Sequence, residues 1–321
     1  MCWGECNQNS DKDITAEFHF NYWPQAVSKH NGKEAYLDIG VKLTNYENLT
    51  SLVFWFPKEF AKNFETAENF KDLGGIIKDN QTASLVFNEV LKTSSDAKTP
   101  KQTKISNSED EELFIIYELS NDNVNTKEEY NGLTMYISLE QLIHQGIKAS
   151  IYIRFRLMGD FLKNIEKKIT VKNKLLQSAF TETSYVDFRF NDIRSCNSDL
   201  QEHLNNNKGK LHVSKVHFLL MARSDEEVTT SEPITARILE AEAWERYLGH
   251  KIDHVCVAYH WRFKSPEQNA CIIYAHYKVL HCNGWTIAFY VLILFLLTII
   301  MNLVSSTVYG HLHTFFPITF P

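Results

Sequence analysis

Ala35-Tyr-Leu-Asp-Ile-Gly-Val-Lys-Leu-Thr44 is the stretch whose reading decides the fold. Every odd position from Ala35 to Leu43 is apolar, a period of two that lets one pleated face be buried while the other meets solvent. The segment is therefore expected to be a half-buried strand. The same alternation recurs over 17–22, 51–56, 113–119, 134–139, 151–157 and 185–190, with polar, turn-rich segments between. Seven or eight short strands with few long helices predict a mainly β fold, an antiparallel sandwich or an open barrel.

Outward from this core the signals thin. Residues 1–14 read as a flexible N-terminus and 15–196 as the β-rich domain. Within it, 60–73 and 139–144 have helical character, and 160–168 is suited to cap a strand end. The hydrophilic stretches 93–112 and 120–131 lack periodicity and are expected to be loops. Apolar content falls and Asn accumulates over 197–210, which marks a linker. Beyond it, 211–282 reads as a small α+β unit: strand 211–221, helix 233–248, then strands 253–263 and 271–280. The helix has a start signal in Ser231, Glu232 and Pro233, a stop at Gly249, and an apolar stripe through Ile234, Ile238, Ala241, Trp244 and Leu248.

The last 43 residues carry no Asp, Glu, Lys or Arg, so all 33 basic and all 39 acidic residues precede them. A hydrocarbon core of ~30 Å needs roughly 20 mostly apolar helical residues, and 285–305 meets that requirement as one transmembrane helix, with Trp285 and Tyr309 as interfacial aromatics. Residues 306–321 form a short far-side tail. No secretory signal opens the chain, and Arg262, Lys264 and Lys278 lie just before the span. The expectation is a tail-anchored, single-pass membrane protein whose N-terminal domain stays in the cytoplasm. The lipid bilayer is its first partner, and Asn302 supplies a hydrogen-bonding group through which the span can join a homo-oligomer. Six dispersed cysteines should be free thiols in that compartment. A net charge of −6 argues against a general nucleic-acid binder.

Chemistry-bearing residues concentrate in Asp253-His-Val-Cys-Val-Ala-Tyr-His-Trp-Arg262. Strand alternation places His254, Cys256, His260 and Arg262 on one face. His254 and His260 are six residues apart, about 20 Å on an extended strand, so they cannot share an ion. No metal centre is expected, and no motif calls for a cofactor. Of the helix carboxylates, Glu240 and Glu242 point about 160° apart and cannot act as a pair. Glu242 also forms an i,i+4 pair with Arg246. As ligand-binding groups the sequence offers Arg237, His260 and Arg262, and from the basic run 163–174 also Lys167 and Lys168. No nucleophile elbow or phosphate-binding glycine loop is present. These features favour a non-enzymatic sensor, scaffold or membrane effector that binds a ligand or a protein partner. The alternative is a membrane-anchored hydrolase or transferase using His254, His260, Arg262 and Glu242 of the 211–282 unit.

Overall fold

The alternating segment folds as strand β3 (Tyr36–Thr44), near the middle of the largest sheet in a computed structural model of the protein. The structure describes residues 1–6, 14–24, 35–61, 64–140, 150–169, 181–206, 211–230, 234–252, 254–266, 269–280 and 284–315. The fold is mainly β, with few helices and one long apolar helix near the C-terminus. Its first compact unit comprises Met1–Lys168 and Ser184–Tyr277; the second comprises Ile169–Thr183 and Lys278–Pro321.

Among the described residues the central sheet has ten strands. Its middle runs β17 (Cys256–Lys264), β14 (Leu211–Arg223), β2 (Ile14–Trp23), β3, then β11 (Ile151–Met158). On one edge lies β16 (Thr235–Ile238); on the other follow β8 (Glu112–Tyr117), β7 (Gln102–Ser106) and β6 (Lys92–Ser95), while β5 (Phe70–Asp72) also pairs with β11. Pairing is mostly antiparallel, but β2 with β14 and β8 with β11 are parallel. Two four-stranded sheets complete the β structure. One contains β1 (Cys2–Cys6), β4 (Leu49–Pro57), β10 (Gly132–Ser138) and β9 (Val124–Glu129); the other contains β12 (Glu166–Ile169), β13 (Thr181–Phe190), β18 (Cys271–Leu280) and β15 (Glu226–Thr230).

Alternation along the central strands yields one wholly apolar face. Phe18, Phe20, Ile39, Val41, Phe155 and Phe218 are all buried there. Their rings meet side chains of the smaller sheets: Phe18 lies 4.6 Å from Phe190, Phe218 4.6 Å from Phe188, and Phe155 5.6 Å from Phe54, between ring centroids. This is sandwich packing, and each buried aromatic contributes on the order of 2–3 kcal/mol of transfer free energy.

Several expectations are revised. Residues 1–6 are not a flexible end: β1 pairs with β4, and Trp3 packs with Val53, Trp55 and Leu200. The hydrophilic stretches contain β6 and β9, polar strands at sheet edges where solvent exposure removes the need for alternation, and β7, which lies between β6 and β8. Short helices α1 (Lys58–Ala61) and α2 (Thr66–Asn69) and strand β5 replace the helix expected over 60–73. Most of 139–144 lies outside the described residues. Helix α3 (Asn80–Phe87) begins where Asp79 accepts the Thr82 amide and ends at left-handed Asn88. The linker holds helix α4 (Ser198–Asn206), capped by Asn197 and docked through Leu200. Residues 211–277 do not stand apart: β14, β17 and β16 build one side of the same central sheet. Finally, 235–238 is strand β16 rather than helix, because it satisfies the free edge of β17; the helix proper, α5 (Ala241–Leu248), starts after Glu240 and ends at left-handed Gly249.

The second unit contains helix α6 (Gly284–Phe315). Its stretch Ile287–Tyr309 is 23 residues of mean hydropathy 2.7, about 34 Å at helical rise, long and apolar enough to cross a bilayer. Thr298 and Thr307 return their hydroxyls to Leu294 and Val304 carbonyls within the helix, which satisfies both groups internally.

Candidate functional site

The other face of the central sheet holds the chemistry. Register aligns its side chains in rows running across the strands. One row is Lys215, Glu17, Lys42 and Tyr152; the next is Arg262, His217, His19, Gly40 and Arg154; a third is His260, Leu219, Asn21, Asp38 and Arg156. Residues in register on neighbouring strands point the same way, so the rows form a single polar surface. Helices α3 and α5 and strand β16 bound a cavity of about 460 Å³ over part of it.

Beside this cavity the surface is anchored by a buried charge network. Arg156 donates through Nε (2.6 Å) and Nη2 (3.1 Å) to Asp38, which also accepts from Trp23 Nε1 (3.1 Å) and Tyr247 Oη (2.9 Å). Arg154 donates Nε to Tyr247 Oη at 2.7 Å and Nη1 to Tyr152 Oη at 2.8 Å. Both arginines and Asp38 are buried, and burying ions costs several kcal/mol each unless they are paired; Arg156 and Asp38 form that pair, and Arg154 is held by two tyrosine hydroxyls. Gly40 makes room for it: a Cβ there would lie 1.9 Å from the Tyr152 hydroxyl. Sequence alternation implied that this face would meet solvent, and the network reverses that expectation at Asp38.

Within the cavity Glu17 Oε1 lies 3.1 Å from His19 Nε2 and 3.5 Å from His217 Nε2, and Glu17 Oε2 lies 3.2 Å from Lys215 Nζ. His217 Nδ1 is 3.0 Å from His260 Nε2, and His19 Nδ1 is 3.4 Å from Tyr152 Oη. Burial works to raise the Glu17 carboxyl, but the contacts of His19, His217 and Lys215 outweigh it and hold the group well below the usual carboxylate range. Burial lowers His19 to about 4; burial, then His217 and Arg262, lower His260 to about 4. Both imidazoles are thus neutral at pH 7, with lone pairs available. Five cations line the space: Lys42, Arg154, Lys215, Arg237 and Arg262. Against them stand two carboxylates, Glu17 and Glu89. Phe87, Phe114 and Trp244 add aromatic surface, and Trp244 Nε1 is buried with no hydrogen-bond partner among the described residues.

Of the residues singled out in the sequence, Arg237, His260 and Arg262 line this cavity together. Arg237 is steadied by donating to Asn88 Oδ1 at 2.5 Å. Glu242 sits exposed on α5 and is not among the cavity's lining residues, and neither is His254, so the four residues of the catalytic alternative are not assembled. Cys256 is buried in an apolar cluster with Trp23 and Leu248. Lys167 lies beside a different cavity of about 490 Å³, with Phe188 and Arg189, and the Lys168 side chain lies outside the described residues. Sequence reading missed Glu17, His19 and His217. Glu17 and His19 are two apart on a strand, which puts both on one face; the signal for His217 exists only once β14 is known to lie beside β2. No protein-family model matches the chain, and no curated protein matches its sequence.

Proposed function

We propose that the β-rich body binds a small phosphorylated molecule bearing a planar ring, of nucleotide size, and that Ile287–Tyr309 attaches it to a membrane. The observation that carries this reading is the cavity's excess of cations, five against two carboxylates, in a space of about 460 Å³ that falls in the range of small-molecule sites. Arg237 and Arg262 stand ready for phosphate oxygens, and half-buried Phe87 in the cavity wall offers a face for a ring. Cationic residues ahead of the span favour a cytoplasmic body by the positive-inside bias. Ligand binding at the body and membrane attachment make a receptor or effector the fitting role.

Titration of the full chain in detergent with pyrophosphate, nucleoside mono- and triphosphates and dinucleotides tests the reading. At least one should raise the melting temperature, by the equivalent of about 2.7 kcal/mol at a hundredfold excess over Kd. The double variant Arg237→Ala/Arg262→Ala should weaken that ligand by roughly 10–100-fold, the worth of a charged hydrogen bond or more. Absence of any stabilising ligand, or equal affinity in the double variant, would sink it.

A further inference from the structure

We propose that Glu17, His19 and His217 form a binding site for a zinc-type divalent metal ion, with a remaining coordination position open to the cavity. The three ligand atoms all lie within 4.8 Å of one another, and each residue borders the cavity. A tetrahedral ion with ligands at about 2.0–2.1 Å has edges of roughly 3.3–3.4 Å between donors. The 3.1 and 3.5 Å separations of Glu17 Oε1 from the two Nε2 atoms straddle that edge.

Each ligand also has an outer partner on its other polar atom. Lys215 holds Glu17 Oε2, His260 meets His217 Nδ1, and Tyr152 approaches His19 Nδ1 while itself fixed by Arg154. Such partners set the tautomer and aim of metal-binding imidazoles. His217 Nε2 sharpens the argument, because it is buried, faces Glu17 Oε1 at 3.5 Å and makes no well-aligned hydrogen bond among the described residues. If it carries a proton, that proton is poorly served; if it carries a lone pair, the pair faces a carboxylate. A cation between the two takes up the lone pair directly, and replaces the proton once it has moved to Nδ1, where His260 Nε2 accepts it. Two imidazoles and one carboxylate select a borderline transition ion over calcium or magnesium, and three protein ligands are the arrangement of zinc sites that keep a position for water or a ligand oxygen.

The site goes beyond the anion reading, since metal content is measured with no anion present. The full chain in detergent, stripped with a chelator and reloaded with Zn²⁺, should retain one equivalent by mass spectrometry of the metal. Reloading with Co²⁺ should give the visible d–d bands of a four- or five-coordinate ion. Glu17→Gln and His217→Ala should each weaken metal binding by about 100-fold or more, and His260→Ala, which removes only an outer partner, by roughly 10–100-fold. Lys264→Ala, in register beyond Lys215, should leave it unchanged. Circular dichroism identifies any variant that fails to fold, and the wild-type cobalt spectrum decides without the variants. A wild-type chain that holds neither ion at micromolar concentration, or a folded His217→Ala chain that binds as wild type does, would overturn the site.

Discussion

Asp38 and Ile39 are neighbours on β3, yet they belong to two different kinds of interior. Ile39 enters an apolar layer of Phe18, Phe20 and Phe155, where stability is a matter of area and fit. Asp38 enters an equally buried layer held by Arg156, Tyr247 and Trp23, where stability depends on every partner being present. The first layer tolerates small trimming. The second fails if one member is removed, and in return it presents fixed charges to a cavity.

The largest expected effect breaks this contrast directly. Asp38→Ala leaves the Arg156 charge and two donors without their acceptor and should cost about 3–5 kcal/mol in urea unfolding. Asp38→Leu combined with Arg156→Met should cost less than the two single changes together. A single change costing under about 1 kcal/mol would show that water reaches the network.

Asp72 sharpens the comparison from a different side, as a half-buried carboxylate that forms no ion pair among the described residues. It accepts the Gly75 and Leu119 amides, but burial dominates and raises its pKa to about 6. The folded chain therefore holds this proton more tightly than the unfolded one, whose value is near 3.8. The resulting stability is present in full below about pH 4 and is lost as pH rises through 6, by about 2–3 kcal/mol. Asp72→Asn should flatten that part of the stability profile; an unchanged profile would place the titration elsewhere.

Gly40→Ala comes next. Its new methyl collides with the Tyr152 hydroxyl and should cost about 1–3 kcal/mol, with a matching loss at the cavity because Tyr152 can no longer approach His19. Ile39→Val, one residue away, should cost about 0.5–1.5 kcal/mol and leave cavity binding untouched. If both properties fell together in Ile39→Val, the two faces would not be separable. Smallest of all, Lys92→Ala breaks an exposed pair with Asp110 and should change stability by about 0.2–1 kcal/mol, less at high salt.

The apolar layer was legible in the sequence because area burial repeats with the pleat: the alternation of 35–44 and 151–157 became β3 and β11. The polar layer was not, because its logic is relational. Asp38 in isolation reads as a solvent-facing residue, and only Arg156 in register beside it makes burial affordable. His260 and Arg262 were found because they stand close together on one strand. Glu17 and His19 share a strand face two residues apart, but His217 joins them only through the parallel pairing of β2 with β14, which leaves no local trace. Edge strands such as β9 look like loops in the sequence for a further reason, since solvent on one side erases the pattern.

That parallel pairing joins Glu17 to Lys215 across 198 positions of chain. A ribosome adding about 5–20 residues per second takes roughly 10–40 s to cover that distance. Throughout that time one flank of β2 awaits its neighbour, offering an unsealed row of amides to any extended chain nearby. Production of this protein in the cell should therefore depend on chaperones that shield nascent strands, and its yield should respond to translation speed more sharply than its final thermal stability does.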